Sequence, residues 1–336
     1  MFCTPVTKVS GLLLQIGTDH RFRCSAAARY TRATIKAGKR SCALGLNKSL
    51  VNPSPEIQKL SNVVMSTAAS RGHVLACSHG AGPLVLLGEP SQQPLIHVLR
   101  DARYVLEDSK GIIVVTAHWQ TEQPTISAAA QHELLFDYPK TLPKEAFEVE
   151  YPAPGSPELA RKVGQKLEGA GFEPRFDHER GWDHGVYVPM TYLRPEADIP
   201  IVQMSVLKSQ DTDEHIKIGQ ALAPLRDEGY TIVCSGSSWH HLGDMMTSIM
   251  KKRPIARDCH SFAAALDEAM FTFDGETRLE KLKGWQSWPD ANYIHAPKHA
   301  EHFMPFMVGA GAGASGVTEK RPSWNLWGVE MATYVW

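Results

Sequence analysis

Four of the fifteen histidines stand at or just past the ends of short apolar runs, where a strand or turn would hand an imidazole to a cleft. His79 follows HVLACS and opens the glycine-rich turn HGAGP; His118 closes GIIVVTAHW; His240 follows YTIVCSGS; His184 opens HGVYVPMTYL directly after GWD. A fifth, His302, lies in KHAEHFMP just ahead of another helical stretch. Taken singly, each is most simply a hydrogen-bonded histidine with no further role. Three or four converging from different strands make a site for a borderline divalent ion such as Zn(II) or Fe(II). The nearest carboxylates, Asp183 and Glu301, are candidates to orient the rings, and Glu301 also to supply a ligand oxygen. A site with fewer protein ligands than the ion accepts keeps positions for substrate, which separates catalytic from structural centres.

Two neighbours weaken as candidates. His241 adjoins His240 but projects to the other side of an extended segment, so the pair does not easily ligate one ion. His295 and His299 cluster with His302 in sequence, and that cluster also reads as a solvated polar loop.

The elements that must position these residues alternate. HVLACS, GIIVVTAHW, EPRFD, IPIVQMSV and YTIVCSGS read as strands, while QPLIHVLRDARYVLED, SPELARKVGQKLEGAG, HGVYVPMTYL and DEHIKIGQALAPLRDEG read as helices. Ser156 is the expected N-cap of the second of these helices. RDCHSFAAALDEAMFTF and PFMVGAGAGA add two more helices, and WNLWGVEMATYVW is expected to be a final strand. Strands alternating with helices predict a single α/β domain with a central, mostly parallel or mixed sheet flanked by helices. In open sheets of this kind, ligands bind at the carboxyl edge, where the histidines fall. HELLFDYPKTLPKEAFEVEYPAPG lacks a period and predicts a long loop over the sheet, a lid in character. Within it Phe136, Asp137, Tyr138 and Tyr151, with Lys140 or Lys144, are candidates to read a substrate carboxylate.

Other chemistries lack their signatures. There is no GxxxxGK[ST] loop, no GxGxxG follows the first strand, and SGSSWHH is not the GxSxG elbow of serine hydrolases. The six cysteines show no CxxC and no framework spacing, so reduced thiols are expected.

The overall net charge of −1 conceals an asymmetry. Residues 1–72 carry eleven Lys or Arg against two acids, leaving 24 basic and 34 acidic residues beyond, a net charge of −10 there. An acidic body is a poor nucleic-acid binder, and no window approaches the roughly 20 apolar residues of a membrane span, so neither partner is expected. The leader, rich in Ser, Thr, Ala and Arg, reads as a plastid or mitochondrial transit-like segment. A disordered extension with Met65 as the true start, and a cytoplasmic protein, is the alternative. The catalytic domain is then residues 73–336.

CSHGAGP, VVTAHW, FDYP with YPAPGSPELA, GWDHGVYVPM, IPIVQMSV, IVCSGSSWHHL, EHFMPFMVGAGAGA and MATYVW, in this order, resemble the DOPA-type extradiol ring-cleavage dioxygenases of the class III, LigB-like superfamily. The resemblance runs from about residue 73 to the end. It implies a non-haem metal held by His79, His118 and His302, with His240 as fourth ligand or neighbour of the substrate and His184 as catalytic acid/base. It implies Fe(II) for activity, Zn(II) as another occupant, and a catechol and O2 as substrates. Three positions depart from the resemblance: HGAGP where relatives carry HGSP, Tyr187 in place of a Trp, and His241 where Asn is common. These bear on pocket shape and therefore on which catechol is taken. A zinc-dependent hydrolase, or a non-enzymatic binding protein of the same fold, is the competing reading; oligomeric state has no signature.

Overall fold

The computed structural model describes residues 70–257 and 259–336. The basic leader and the alternative start at Met65 therefore lie, apart from residues 70–72, outside the described residues.

Four strands form the middle of the sheet: β1 (Val74–Ser78), β2 (Ile112–Thr121), β5 (Ile201–Leu207) and β6 (Thr231–Gly236). All of β1, β5 and β6 is buried, and so is β2 through Ala117. Such unbroken apolar runs belong to parallel strands covered on both faces. They pair in parallel in the order β5-β2-β6-β1. Short strands β3 (Thr125–Ser127) and β4 (Arg175–Asp177) extend one edge; β7 (Glu319–Leu326) and β8 (Val329–Val335) extend the other. The β3–β5, β1–β8 and β7–β8 pairs are antiparallel, so the eight-stranded sheet is mixed, as the alternation predicts.

The helices are α1 (Gln93–Asp101), α2 (Pro157–Gly169), α3 (His184–Leu193), α4 (Thr212–Asp227), α5 (Leu242–Lys251), α6 (His260–Met270), α7 (Gly275–Lys283), α8 (Ala291–Ile294) and α9 (Met304–Ala312). Ser156 caps α2 as expected, accepting the Leu159 N–H at 3.1 Å. The small-residue run of α9 has a packing reason. A Cβ on Gly219 of α4 would lie 2.0 Å from the Val308 carbonyl oxygen, and one on Gly311 of α9 would lie 2.2 Å from that of Ile216. The two helices thus meet backbone to backbone, and α9 is buried along its whole length.

Some expectations change. The closing segment is a hairpin, not one strand: the chain turns at Trp327 (φ 52°) and Gly328 (φ 96°) between β7 and β8. The helix read over residues 93–108 ends at Asp101, and a 3-10 turn, Arg103–Leu106, follows. The residue 132–155 stretch is the expected long loop, with one 3-10 turn at Lys144–Phe147. Cys77, Cys234 and Cys259 are buried, and the other three cysteines lie outside the described residues.

Candidate metal centre and substrate cleft

Three local devices aim the imidazoles. His79 lies one residue beyond β1, where the chain turns sharply at Gly80 (φ 68°). A Cβ there would press within 2.6 Å of Gln92 Oε1 and Val85, so the turn admits only glycine. His118 lies in a bulge: the β2–β5 register runs Thr116↔Ser205 and then Gln120↔Val206, leaving Ala117, His118 and Trp119 out of that ladder. Bulges re-aim side chains beside functional sites in this way. His302 precedes α9, and its carbonyl accepts the Ser237 N–H at 2.7 Å beyond the end of β6. That approach requires Gly236, whose Cβ would fall 2.2 Å from the His302 oxygen.

The result is a convergence of ring nitrogens. Nε2 of His118 is 3.1 Å from Nε2 of His79 and 3.3 Å from Nε2 of His302. The opposite nitrogens face outward to acceptors. His79 Nδ1 is 3.0 Å from Ser235 Oγ, His302 Nδ1 is 2.9 Å from Glu301 Oε1, and His118 Nδ1 is 3.5 Å from Asp137 Oδ2. Protons on the Nδ1 atoms leave three lone pairs pointing at one another, an arrangement that a cation resolves. Two nitrogens bound to one ion at about 2.1 Å each are separated by about 3.0–3.4 Å, depending on the angle. Burial lowers the pKa of all three imidazoles well below the usual value, and neighbouring imidazoles push the same way. They are neutral and ready to ligate at pH 7. The donor set therefore fits a divalent ion.

His184 opens α3 beside these rings, its centroid 3.8 Å from that of His118. Its Nδ1 donates to Asp137 Oδ1 at 2.6 Å, and its backbone N–H reaches the same oxygen at 3.2 Å. Burial opposes ionisation of Asp137, but the hydrogen bond and the charges of His184 and His118 outweigh it, and the carboxyl stays below its usual range. His184 is thus left with Nε2 for exchange. Its ligand nitrogen also lies within 4.8 Å of those of His79 and His118, so a second set of three overlaps the first.

Asp183 is not the ring-orienting carboxylate that its place in the sequence suggests. It is fully buried and receives Thr116 Oγ1 at 2.8 Å, Gln203 Nε2 at 2.9 Å and Arg180 at 3.1 Å. It ties β2, β5 and the loop leading into α3 together, which holds His184 in place from behind. Asp137, in the lid, takes the orienting role. FDYP carries no local signal for that role, because the pairing spans 47 positions. Ser235, facing His79 from β6, was likewise not singled out in the sequence.

His240 stacks on His302, with ring centroids 3.6 Å apart and planes 10° from parallel. Burial and the adjacent His241 bring its pKa down to about 4. His240, Glu301 and His302 place one ligand atom each within 4.8 Å, so Glu301 serves His302 and stays within reach of an ion. His241 turns away to stack on Tyr293. His295 is buried against Phe303, and His299 is exposed, so neither joins the cleft. Of the lid residues singled out in the sequence, Asp137 and Tyr138 line the cleft. Tyr151 bonds the Arg194 carbonyl, Phe136 packs in an aromatic cluster with Phe147, and Lys144 pairs with Glu148 on the surface. Lys140 is exposed and does not line the cleft.

All five aimed histidines line one open cleft of about 630 Å³, within the roughly 300–1,000 Å³ usual for small-molecule sites. An α/β domain with an imidazole-rich cleft over the carboxyl ends of its parallel strands is the class that fold and site define. A family model described as the catalytic LigB subunit of aromatic ring-opening dioxygenase matches residues 74–335, and the chain belongs to that family. The chain is 41% identical over 286 residues to dioxygenase tasH of Hapsidospora irregularis, covering 81% of this chain and 87% of the relative. It is 34% identical over 236 residues to the 4,5-DOPA dioxygenase extradiol of Beta vulgaris, covering 70% and 84% of the two chains. A crystal structure of an uncharacterized protein from Escherichia coli K12 shares the fold, with a TM-score of 0.60 at 24% identity over 79% of this chain and 99% of that one. The chain is thus an oxygenase of a metal-dependent family that acts on a small aromatic substrate and O2. Among the described residues no helix is long and apolar enough to cross a membrane.

Proposed function

We propose that this chain is an Fe(II)-dependent extradiol dioxygenase that opens a catechol ring beside one of its hydroxyls and places both oxygen atoms of O2 in the product. The observation that carries this is the convergence of His79, His118 and His302 through Nε2 atoms 3.1 and 3.3 Å apart, with His184 alongside. These three residues would hold the ion, with His240 or Glu301 as a further donor. A ferrous ion supplies the redox-active centre at which catechol and O2 meet.

The protein's own groups manage protons and position. His184, its Nδ1 committed to Asp137, offers Nε2 to take the proton of a catechol hydroxyl. Neutral His240, stacked on His302 and lining the same cleft, can exchange a second proton as the ring opens. Asp137 keeps the first imidazole in a single tautomer. Relatives named 4,5-DOPA dioxygenase extradiol support cleavage outside the diol.

The test is anaerobic loading of the full chain with Fe(II), then addition of catechols with oxygen uptake and visible absorbance recorded. Stoichiometric uptake with a yellow product, abolished in His79→Ala and His184→Ala, is the expected result. Metal binding without uptake for any catechol would move the assignment to a zinc hydrolase or a binding protein on the same ligands.

A further inference from the structure

The polarity of the cleft bears on which catechol enters it, an inference that rests on the ring-cleavage reading. Its formal charges come from Asp137 and Glu301, and among the described residues that line it there is no lysine or arginine. The nearest guanidinium, Arg180, is spent on Asp183 and the His118 carbonyl. Lys144 faces Glu148. Two helix N-termini open toward the cleft, and both are already answered by acids. The first N–H of α3 donates to Asp137, and α5 carries Asp244 in its first turn. With the ion's two charges met by the two catechol oxygens, a carboxylate on the substrate's side chain would exchange water for two like charges and no side-chain cation.

Other residues lining the cleft are of another kind: Leu84, Leu142, Leu242, Met245 and Met246. Leu242 is 56% exposed at the mouth, where a large apolar side chain gains nothing from the fold itself. Methionine thioethers adapt to irregular apolar shapes.

We infer that the preferred substrate is a catechol bearing an uncharged apolar side chain, seated against Leu84, Leu142, Leu242, Met245 and Met246, and that a carboxylate on that side chain is discriminated against. The matched pair is dihydrocaffeate and the catechol with a propyl chain in its place. These have nearly the same length and differ in charge.

Equilibrium binding of both to the zinc-loaded full chain, followed by tryptophan fluorescence, measures the preference without turnover. Oxygen uptake by the Fe(II)-loaded chain is measured alongside. The propyl compound is expected to bind about tenfold or more tightly. Leu242→Lys is expected to narrow that ratio about threefold or more by supplying the missing cation. Equal or tighter binding of dihydrocaffeate, or no binding of either compound, would overturn the inference. Selective binding with no oxygen uptake would instead remove the ring-cleavage reading and leave the ligand preference standing.

Discussion

Nδ1 of His184 and Oδ1 of Asp137 lie 2.6 Å apart, a bond from the start of α3 to the lid loop across 47 positions of sequence. The same carboxylate places its other oxygen 3.5 Å from Nδ1 of His118. One acid thus sets the tautomer of a proposed proton carrier and of a proposed ligand. Asp137→Asn preserves shape but can present its amide to the imidazole, freeing His184 to rotate or change tautomer. On protein brought to full iron occupancy, we expect kcat to fall by roughly 10²-fold or more, as for loss of a positioned acid/base. Steady-state oxygen uptake on metal-quantified protein measures this; a variant with undiminished kcat would remove Asp137 from the orienting role.

Metal affinity should depend on the outward bonds as well as on the ligands. His79→Ala and His302→Ala are expected to abolish stoichiometric zinc or iron binding. Ser235→Ala and Glu301→Gln, which touch Nδ1 of those rings, should weaken it by roughly tenfold or more. Chelation should lower the melting temperature, because an ion bound only to the folded chain at 100 times its Kd adds about 2.7 kcal/mol. Calorimetric titration of chelated protein resolves these cases, and wild-type affinity in Ser235→Ala would show that His79 needs no such anchor.

The reach of the sequence follows from what is local. The four central strands are legible because burial on both faces leaves β-branched runs such as IIVVTA with no polar alternation, and His79, His118 and His240 are legible because they follow such runs. The bulge at Ala117–Trp119 leaves no mark, since it is a matter of register against β5. Asp183 drew attention by sitting next to His184, yet its side chain faces Thr116, Gln203 and Arg180; adjacency along the chain says little about direction at a helix start. The β7–β8 hairpin was hidden because apolar residues continue through Trp327-Gly328, although the glycine with positive φ was the turn signal.

Asp183 makes a prediction of its own. Burial raises its carboxyl pKa, aided by the charge of Asp137, while Thr116, His184 and Arg180 act against that. Removing it in Asp183→Ala leaves Arg180, Gln203 and Thr116 without their common acceptor. Loss of one member of a buried pair costs about 3 kcal/mol or more. Urea unfolding should show that loss, and a change under 1 kcal/mol would mean that the three donors find other partners.

His215, buried in α4, connects stability to acid. Its Nε2 accepts the Leu207 N–H at 3.0 Å while Nδ1 donates to the Asp211 carbonyl, so the folded ring is neutral. Burial lowers its pKa to about 4, against a smaller upward pull from Asp211. An unfolded imidazole titrates near 6.5, so between these values the unfolded chain binds a proton that the folded chain refuses. Stability from this group is therefore whole above about pH 6.5 and declines as the pH falls toward 4, by roughly 3 kcal/mol in all. His215→Gln keeps an acceptor for Leu207 and does not titrate, so its stability should fall less over that window by about the same amount. Denaturant unfolding of both proteins at pH 7 and pH 4 makes the comparison; parallel losses would show that His215 is not the acid-sensitive group.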